Sequence, residues 1–177
     1  MGLEGVELVV AIEETFAIDI SDAAAAAMLT PADVIEFIVA HVPTSTPVDC
    51  LTQQTFFRLR KGFRRTLSKP IGKFDLDTEL ADWFHKDQWP EAWRGIRAAA
   101  TDHCWPESIP WPGFLRDGPR TVRQLIWHLV ASLPKPATGE PWSQVKIEAE
   151  VRRIIYEILA KKDFELSAKF IGDLGVH

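Results

Sequence analysis

Cysteine is scarce: Cys50 and Cys104 are the only two among 177 residues, and neither sits in a Cys-x-x-Cys or Cys/His pattern, so a disulfide framework and a cysteine-based metal site are excluded. Long apolar runs are missing as well, none approaching the ~18 residues a membrane-spanning helix requires. The N-terminus lacks a basic region followed by a hydrophobic core and cleavage site, which sets the expectation of a cytoplasmic protein. No strand signal competes with the helical periodicities anywhere in the chain. Lys and Arg are absent from Met1 to Pro43, where Glu4, Glu7, Glu13, Glu14, Asp19, Asp22, Asp33 and Glu36 stand unopposed. Acid is absent in turn from Phe56 to Lys69, a segment holding Arg58, Arg60, Lys61, Arg64, Arg65 and Lys69. The formal net charge of -5 therefore conceals two oppositely charged segments, able to attract each other or to bind different partners.

What is present is the composition of a globular protein, 46% hydrophobic and 25% charged, which excludes disorder as a description of the whole. Small residues and prolines interrupt the helical period at Pro43–Pro47 and Pro134–Pro141, and linkers are expected over 44–50 and 135–143. In the first piece Leu8, Val9, Ile12 and Phe16 share one helical face, Leu3, Val6 and Val10 an adjoining one, and Glu4, Glu7 and Glu14 the remaining arc. The expected helix is mostly buried with one acidic stripe. Thr30-Pro31-Ala32-Asp33 supplies an N-cap, a first-position proline and a first-turn acid for a helix carrying Val34, Ile35, Ile38 and Val42.

The middle piece opens with Phe56, Leu59, Phe63 and Leu67 at helical spacing, which turns its basic residues outward. Thr121-Val-Arg-Gln124 is a capping box for a helix with Leu125, Ile126, Leu129 and Leu133. The last piece is a helix with Ile147, Val151, Ile154, Ile155 and Ile158. Two stretches match in chemical type at almost every position, Phe74-Asp-Leu-Asp-Thr-Glu-Leu80 and Phe164-Glu-Leu-Ser-Ala-Lys-Phe170, each preceded by an amphipathic helix. The Thr30-capped and Thr121-capped helices form a second matching pair. The middle piece holds its set in order, while the other set is split between the two chain ends.

The segment from Leu3 to Asp22, with Thr30 to Ile38, resembles the second half of an acyl carrier protein, and Val145 to Gly175 resembles the first helix and long loop of the same family. Set end to end, Asp173-Leu-Gly-Val-His177 followed by Gly2-Leu-Glu-Gly-Val-Glu-Leu8 recreates the family pattern with Met1 as the one extra residue. The resemblance implies an all-α protein of two acyl-carrier-like small helical bundles. One is circularly permuted, built from 1–43 and 144–177, and the other, more divergent, spans 51–134. It also implies a phosphopantetheine-bearing serine in the loop Asp-Leu-Gly-x-Asp-Ser-Leu. Here His177 stands at the Asp position and Gly2 at the Ser position, and constant spacing puts Gln88 at the matching place in the middle bundle. Neither Gly nor Gln has a hydroxyl to carry the arm, so no cofactor is expected.

Candidate partner-binding residues are Glu4, Glu7 and Glu14 on the acidic helix and Arg58, Arg60, Lys61, Arg64 and Arg65 on the basic one; the plain alternative for each is a solvated helix face. The acidic stripe matches the surface that carrier proteins present to basic enzymes, which points to an acyl-transfer or lipid-biosynthesis enzyme as partner. The basic stripe supplies phosphate-binding charge without a base-reading code, and the overall acidity disfavours nucleic acid, so an acidic surface is its expected target, within this chain or outside it. Trp83, Trp89, Trp93, Trp105 and Trp111 are read as core of a small domain rather than as a ligand pocket. His103-Cys104, His85 near Asp87, and His128 lack any spacing that forces a catalytic pair, so no enzyme activity and no metal site are expected. The function that follows is a non-catalytic interaction or scaffold protein. The alternative is a working acyl carrier of fatty acid or polyketide-type biosynthesis, modified at a nonstandard serine among Ser21, Ser68, Ser108, Ser132, Ser143 and Ser167.

Overall fold

The computed structural model describes residues 2–45, 51–67, 74–100, 104–112, 118–137 and 139–176. It is mostly helical: α1 (Leu3–Phe16), α2 (Asp22–Ala27), α3 (Pro31–His41), α4 (Leu51–Thr66), α5 (Trp89–Ala100), α6 (Val122–Ser132) and α7 (Gln144–Leu159), with a short 3-10 turn at Leu80–Asp82 and a wide turn at Phe170–Leu174. One pair of two-residue strands, β1 (Thr44–Ser45) and β2 (Trp142–Ser143), runs parallel, with Thr44 opposite Trp142 and Ser45 opposite Ser143. The chain divides into two compact units, Met1–Pro47 with Pro136–His177, and Val48–Lys135.

In the first unit the apolar stripe of α7 packs on α1 and α3. Leu8, Ile12 and Phe16 of α1, Val34, Ile35 and Ile38 of α3, and Ile147, Val151, Ile154 and Ile155 of α7 form one buried core, which Val176 also enters. Each such side chain contributes about 1.5–3 kcal/mol when fully buried. Head and tail of the chain thus complete one hydrophobic core. Met1 and His177, the ends that the permuted order sets side by side, lie outside the described residues; Gly2 is the N-cap of α1. Two expectations change here. Thr44, Ser45, Trp142 and Ser143, read as linker, pair as strands, because the Trp142 indole is buried against the Phe16 ring at 4.7 Å and draws its backbone inward. A two-residue pair is too short to leave an alternating pattern in the sequence. Residues 46–50 of the first expected linker fall outside the described ones.

In the second unit α4 packs on α5 and α6 around Leu59, Phe63, Trp93, Ile96, Leu125 and Leu129. The helices cross at Gly62, where a Cβ would lie 2.7 Å from the Ile96 carbonyl oxygen and 2.8 Å from Ile96 Cγ2. Corresponding backbone hydrogen bonds recur in the two units, with the loop after the helix in the chain in one and before it in the other. In the first, Leu166 O accepts from Ala32 N at 2.9 Å and Phe170 N donates to Leu29 O at 3.0 Å. In the second, Leu76 O accepts from Arg123 N at 2.8 Å and Leu80 N donates to Arg120 O at 2.8 Å. Each matched loop therefore docks on the entrance of a threonine-capped helix, at equivalent residues around Thr30 and Thr121.

The caps themselves differ. Thr30 Oγ1 accepts from Asp33 N, and Asp33 Oδ2 accepts from the backbone N–H groups of Leu29 and Thr30, a complete box. At Thr121 the hydroxyl accepts from Gln124 N, but Gln124 Oε1 reaches one residue further back, to Arg120 N at 2.7 Å. The hydrogen bond from Thr30, followed by those from the backbone, holds the Asp33 carboxyl below its ordinary value.

Two outcomes test this packing. Gly62→Ala removes the flexibility cost of glycine in a helix, yet the Cβ meets the Ile96 backbone carbonyl as well as the branched Cγ2 of a fully buried side chain, so overpacking wins and urea unfolding should show a loss of about 1–3 kcal/mol. Asp33→Ala should cost about 1 kcal/mol at neutral pH. Because the folded carboxyl is lowered, that contribution is present above its unfolded value and vanishes as pH falls through the folded one, so the two proteins should converge in stability in acid.

Candidate functional site

The 14-residue α1 presents an acidic and apolar outer face. Glu7 and Glu14 are exposed and Glu4 half-buried, while Glu13, on the inner border, accepts from Ile20 N at 2.7 Å and closes the turn after the helix. Leu3, Val6 and Val10 depart from the expected mostly buried helix: they are 72%, 47% and 44% exposed. At spacings of three and four residues they share a stripe with Glu7 and Glu14. The core takes only the face of Leu8, Ile12 and Phe16, since α7 packs on one side of α1.

On α4 the exposed cations are Arg58, Lys61, Arg64 and Arg65; Arg60 is half-buried at the border of the core, its Nε buried without a hydrogen-bond partner. Phe57, 54% exposed, stands in one row with Lys61 and Arg64. α1 belongs to the first unit and α4 to the second.

The two positions expected to replace the attachment serine both precede helices. Gly2 caps α1, and Gln88 O accepts from Ala92 N at the start of α5 while Gln88 Oε1 accepts from His85 N. Burial alters the second assignment. Gly5, Leu8, Ile12 and Phe16 of α1 have the spacing of Trp89, Ala92, Ile96 and Ala100 of α5, which sets Glu4 opposite Gln88 and Gly2 opposite Lys86. The loop before α5 is thus two residues shorter than constant spacing assumes. Lysine, like glutamine, has no hydroxyl.

Among the candidate serines, Ser21 caps α2, Ser143 caps α7, and Ser132 donates to His128 O at 2.7 Å. Ser108 and Ser167 are exposed, and Ser68 falls outside the described residues. So does His103; Cys104 is exposed, as are His85 and Asp87. Burial pushes the His128 imidazole below its ordinary value, which keeps it neutral at neutral pH. No group of three or more His, Cys, Asp or Glu side chains among the described residues could hold a metal ion. No described helix is long and apolar enough to cross a membrane.

The tryptophans are built into the second unit's interior. Trp89, Trp93 and Trp105 are buried. Trp89 Nε1 donates to Ile109 O at 2.7 Å, Trp93 Nε1 to Pro106 O at 3.0 Å, and Arg97 Nε to Trp105 O at 3.0 Å. Three α5 side chains thereby hold a proline-rich segment that has no ladder of its own, with Trp105 stacked on Trp93 at 5.8 Å.

An ionic row on α7, buried at its Lys146–Glu150 end, was not anticipated. Lys146 Nζ meets Glu150 Oε1 at 2.9 Å, with the two side chains 4% and 1% exposed. Glu150 Oε2 accepts from Arg153, whose Nη1 donates to Glu157 Oε2 at 2.6 Å. Burial works against the Arg153 charge, but the hydrogen bonds to Glu150 and Glu157 outweigh it and raise its proton affinity. The spacing of three and four residues was the sequence signal for this row. Both carboxylates of the row, Glu150 and Glu157, face cations.

Neither a family model, nor a curated protein, nor a solved structure matches the chain.

Trp89→Phe keeps the ring but strands the Ile109 carbonyl, and should lower stability by about 1–3 kcal/mol with loss of near-ultraviolet dichroism.

Proposed function

We propose that this chain is a non-catalytic, acyl-carrier-like interaction or scaffold protein, without a pantetheine arm, that recognises a basic protein partner through α1. The supporting observation is the outer face of α1. Leu3, Val6 and Val10 are exposed there beside Glu7 and Glu14, on a segment without any cation. Apolar side chains give a partner surface to cover, and charge of one sign accelerates encounter with a basic surface and rejects an acidic one. An acyl-transfer or lipid-biosynthesis enzyme is the partner class that the carrier resemblance suggests. In this reading the first unit is a permuted carrier bundle and the second a divergent one, and Gly2 occupies the place of the reactive serine.

The second reading is a carrier modified elsewhere, and the exposure of Ser167 within the loop of the first unit favours that residue for it. Incubation with a broad-specificity phosphopantetheinyl transferase and intact-mass measurement separates the two: unchanged mass is expected, and an added arm replaces the first reading by the second. For the partner, a pull-down with the full chain as bait is compared with the Glu7→Lys/Glu14→Lys variant. Binding should weaken at least about tenfold in the variant and fade with added salt. Equal capture by both baits refutes recognition through α1.

A further inference from the structure

The outer faces of α1 and α4 are complementary in three respects. Their lengths match, about 21 Å for the 14 residues of α1 and about 24 Å for the 16 of α4. Their charges are opposite and uncompensated along the chain, with no Lys or Arg from Met1 to Pro43 and no Asp or Glu from Leu51 to Phe74. Both present apolar anchors to solvent within the charged row, Leu3, Val6 and Val10 on one and Phe57 on the other.

The second face does not suit a membrane or a nucleic acid. Leu59 and Phe63, the apolar side of α4, are fully buried in its own unit, so the helix has a single exposed aromatic to offer a lipid interface. Nothing in the row reads base edges, and the carrier of the row is an acidic protein. An acidic helix with apolar side chains between its carboxylates satisfies both components of the face, and each copy of the chain supplies one.

We propose that α1 of one copy docks on α4 of a second copy, Leu3, Val6 and Val10 covering Phe57 while Glu7 and Glu14 face Lys61 and Arg64. The proposal rests on the α1 face invoked above and names an occupant for it. Because the two faces differ, the contact is heterologous: a pair still presents one free α1, on one copy, and one free α4, on the other, and assembly continues into a ring or a chain. Two helix faces bury less than the ~1,200 Å² of ordinary stable complexes, so the association is weak, with Kd of about 10–100 µM, and salt-sensitive.

Sedimentation velocity of the full chain tests this, over about 5–500 µM in about 20 mM and about 500 mM salt. The sedimentation coefficient should rise with concentration at low salt and stay at the monomer value at high salt. Glu7→Gln/Glu14→Gln and Lys61→Gln/Arg64→Gln alter exposed side chains, and unchanged circular dichroism verifies their folds. Each variant alone should be monomeric. Their equimolar mixture should form dimers and nothing larger, because one intact α1 and one intact α4 remain to meet. Three results overturn the proposal: a wild-type monomer at every concentration in low salt, self-association that survives in either variant, or a mixture that stays monomeric. A monomeric wild type that still loses its pull-down partner on Glu7→Lys/Glu14→Lys would leave the partner-recognition reading standing and remove this one alone.

Discussion

The burial of one helical stripe, Ile147, Val151, Ile154 and Ile155 of α7, against α1 and α3 is the constraint on which the first unit depends. Without it Leu8, Ile12 and Phe16 have no opposing surface, and α2 and α3 have nothing to close upon. The partner stripe comes from the far end of the chain, so its packing carries a loop-closure cost of about 4 kcal/mol for a separation on the order of 100 residues. Three buried aliphatic side chains at about 1.5 kcal/mol each offset that cost. Sequence distance is therefore no barrier to a core built from both ends.

The two units solve the same packing problem with different materials. In each, one amphipathic helix packs on two others, and a loop of matched sequence docks by backbone hydrogen bonds on a threonine-capped entrance. The first unit fills its centre with aliphatic side chains. The second uses Phe63, Trp89, Trp93 and Trp105, whose size lets a close approach at Gly62 coexist with a filled interior. Where the first unit has the short α2, the second has an irregular stretch held by indole and guanidinium donors. Aromatic nitrogen atoms there do the work that a helical ladder does elsewhere, which accounts for tryptophan in a segment interrupted by proline.

Helical periodicity, the Thr30 and Thr121 caps and the paired loops were legible in the amino acids, because each is a local pattern with a fixed spacing. Leu3, Val6 and Val10 were misjudged because periodicity reports which residues share a face, and only the number of neighbouring helices decides whether that face is covered. Trp142 was missed for the opposite reason: proline and small residues around it concealed a single anchoring indole. The place of Gln88 depended on constant loop length, which the burial phase of α5 does not keep. Lys146 and Glu150 have the spacing of any solvated helical pair, and nothing in that spacing distinguishes a buried ion pair from an exposed one. The acidic and basic faces were readable as charge, but their exposed apolar anchors were readable only once the coverage of each helix was known.

The parallel sense of the Thr44–Ser45 and Trp142–Ser143 pair makes the whole second unit a crossover connection. Parallel strands cannot be joined by a tight hairpin; the chain has to travel back along their length before the second strand begins. A crossover is ordinarily a single helix. Here it is a body with its own buried core, from Leu59 of α4 to Leu129 of α6. The nested order has an entropic consequence: a compact insert leaves far less free chain for the closure of the first unit to restrain than its residue count implies.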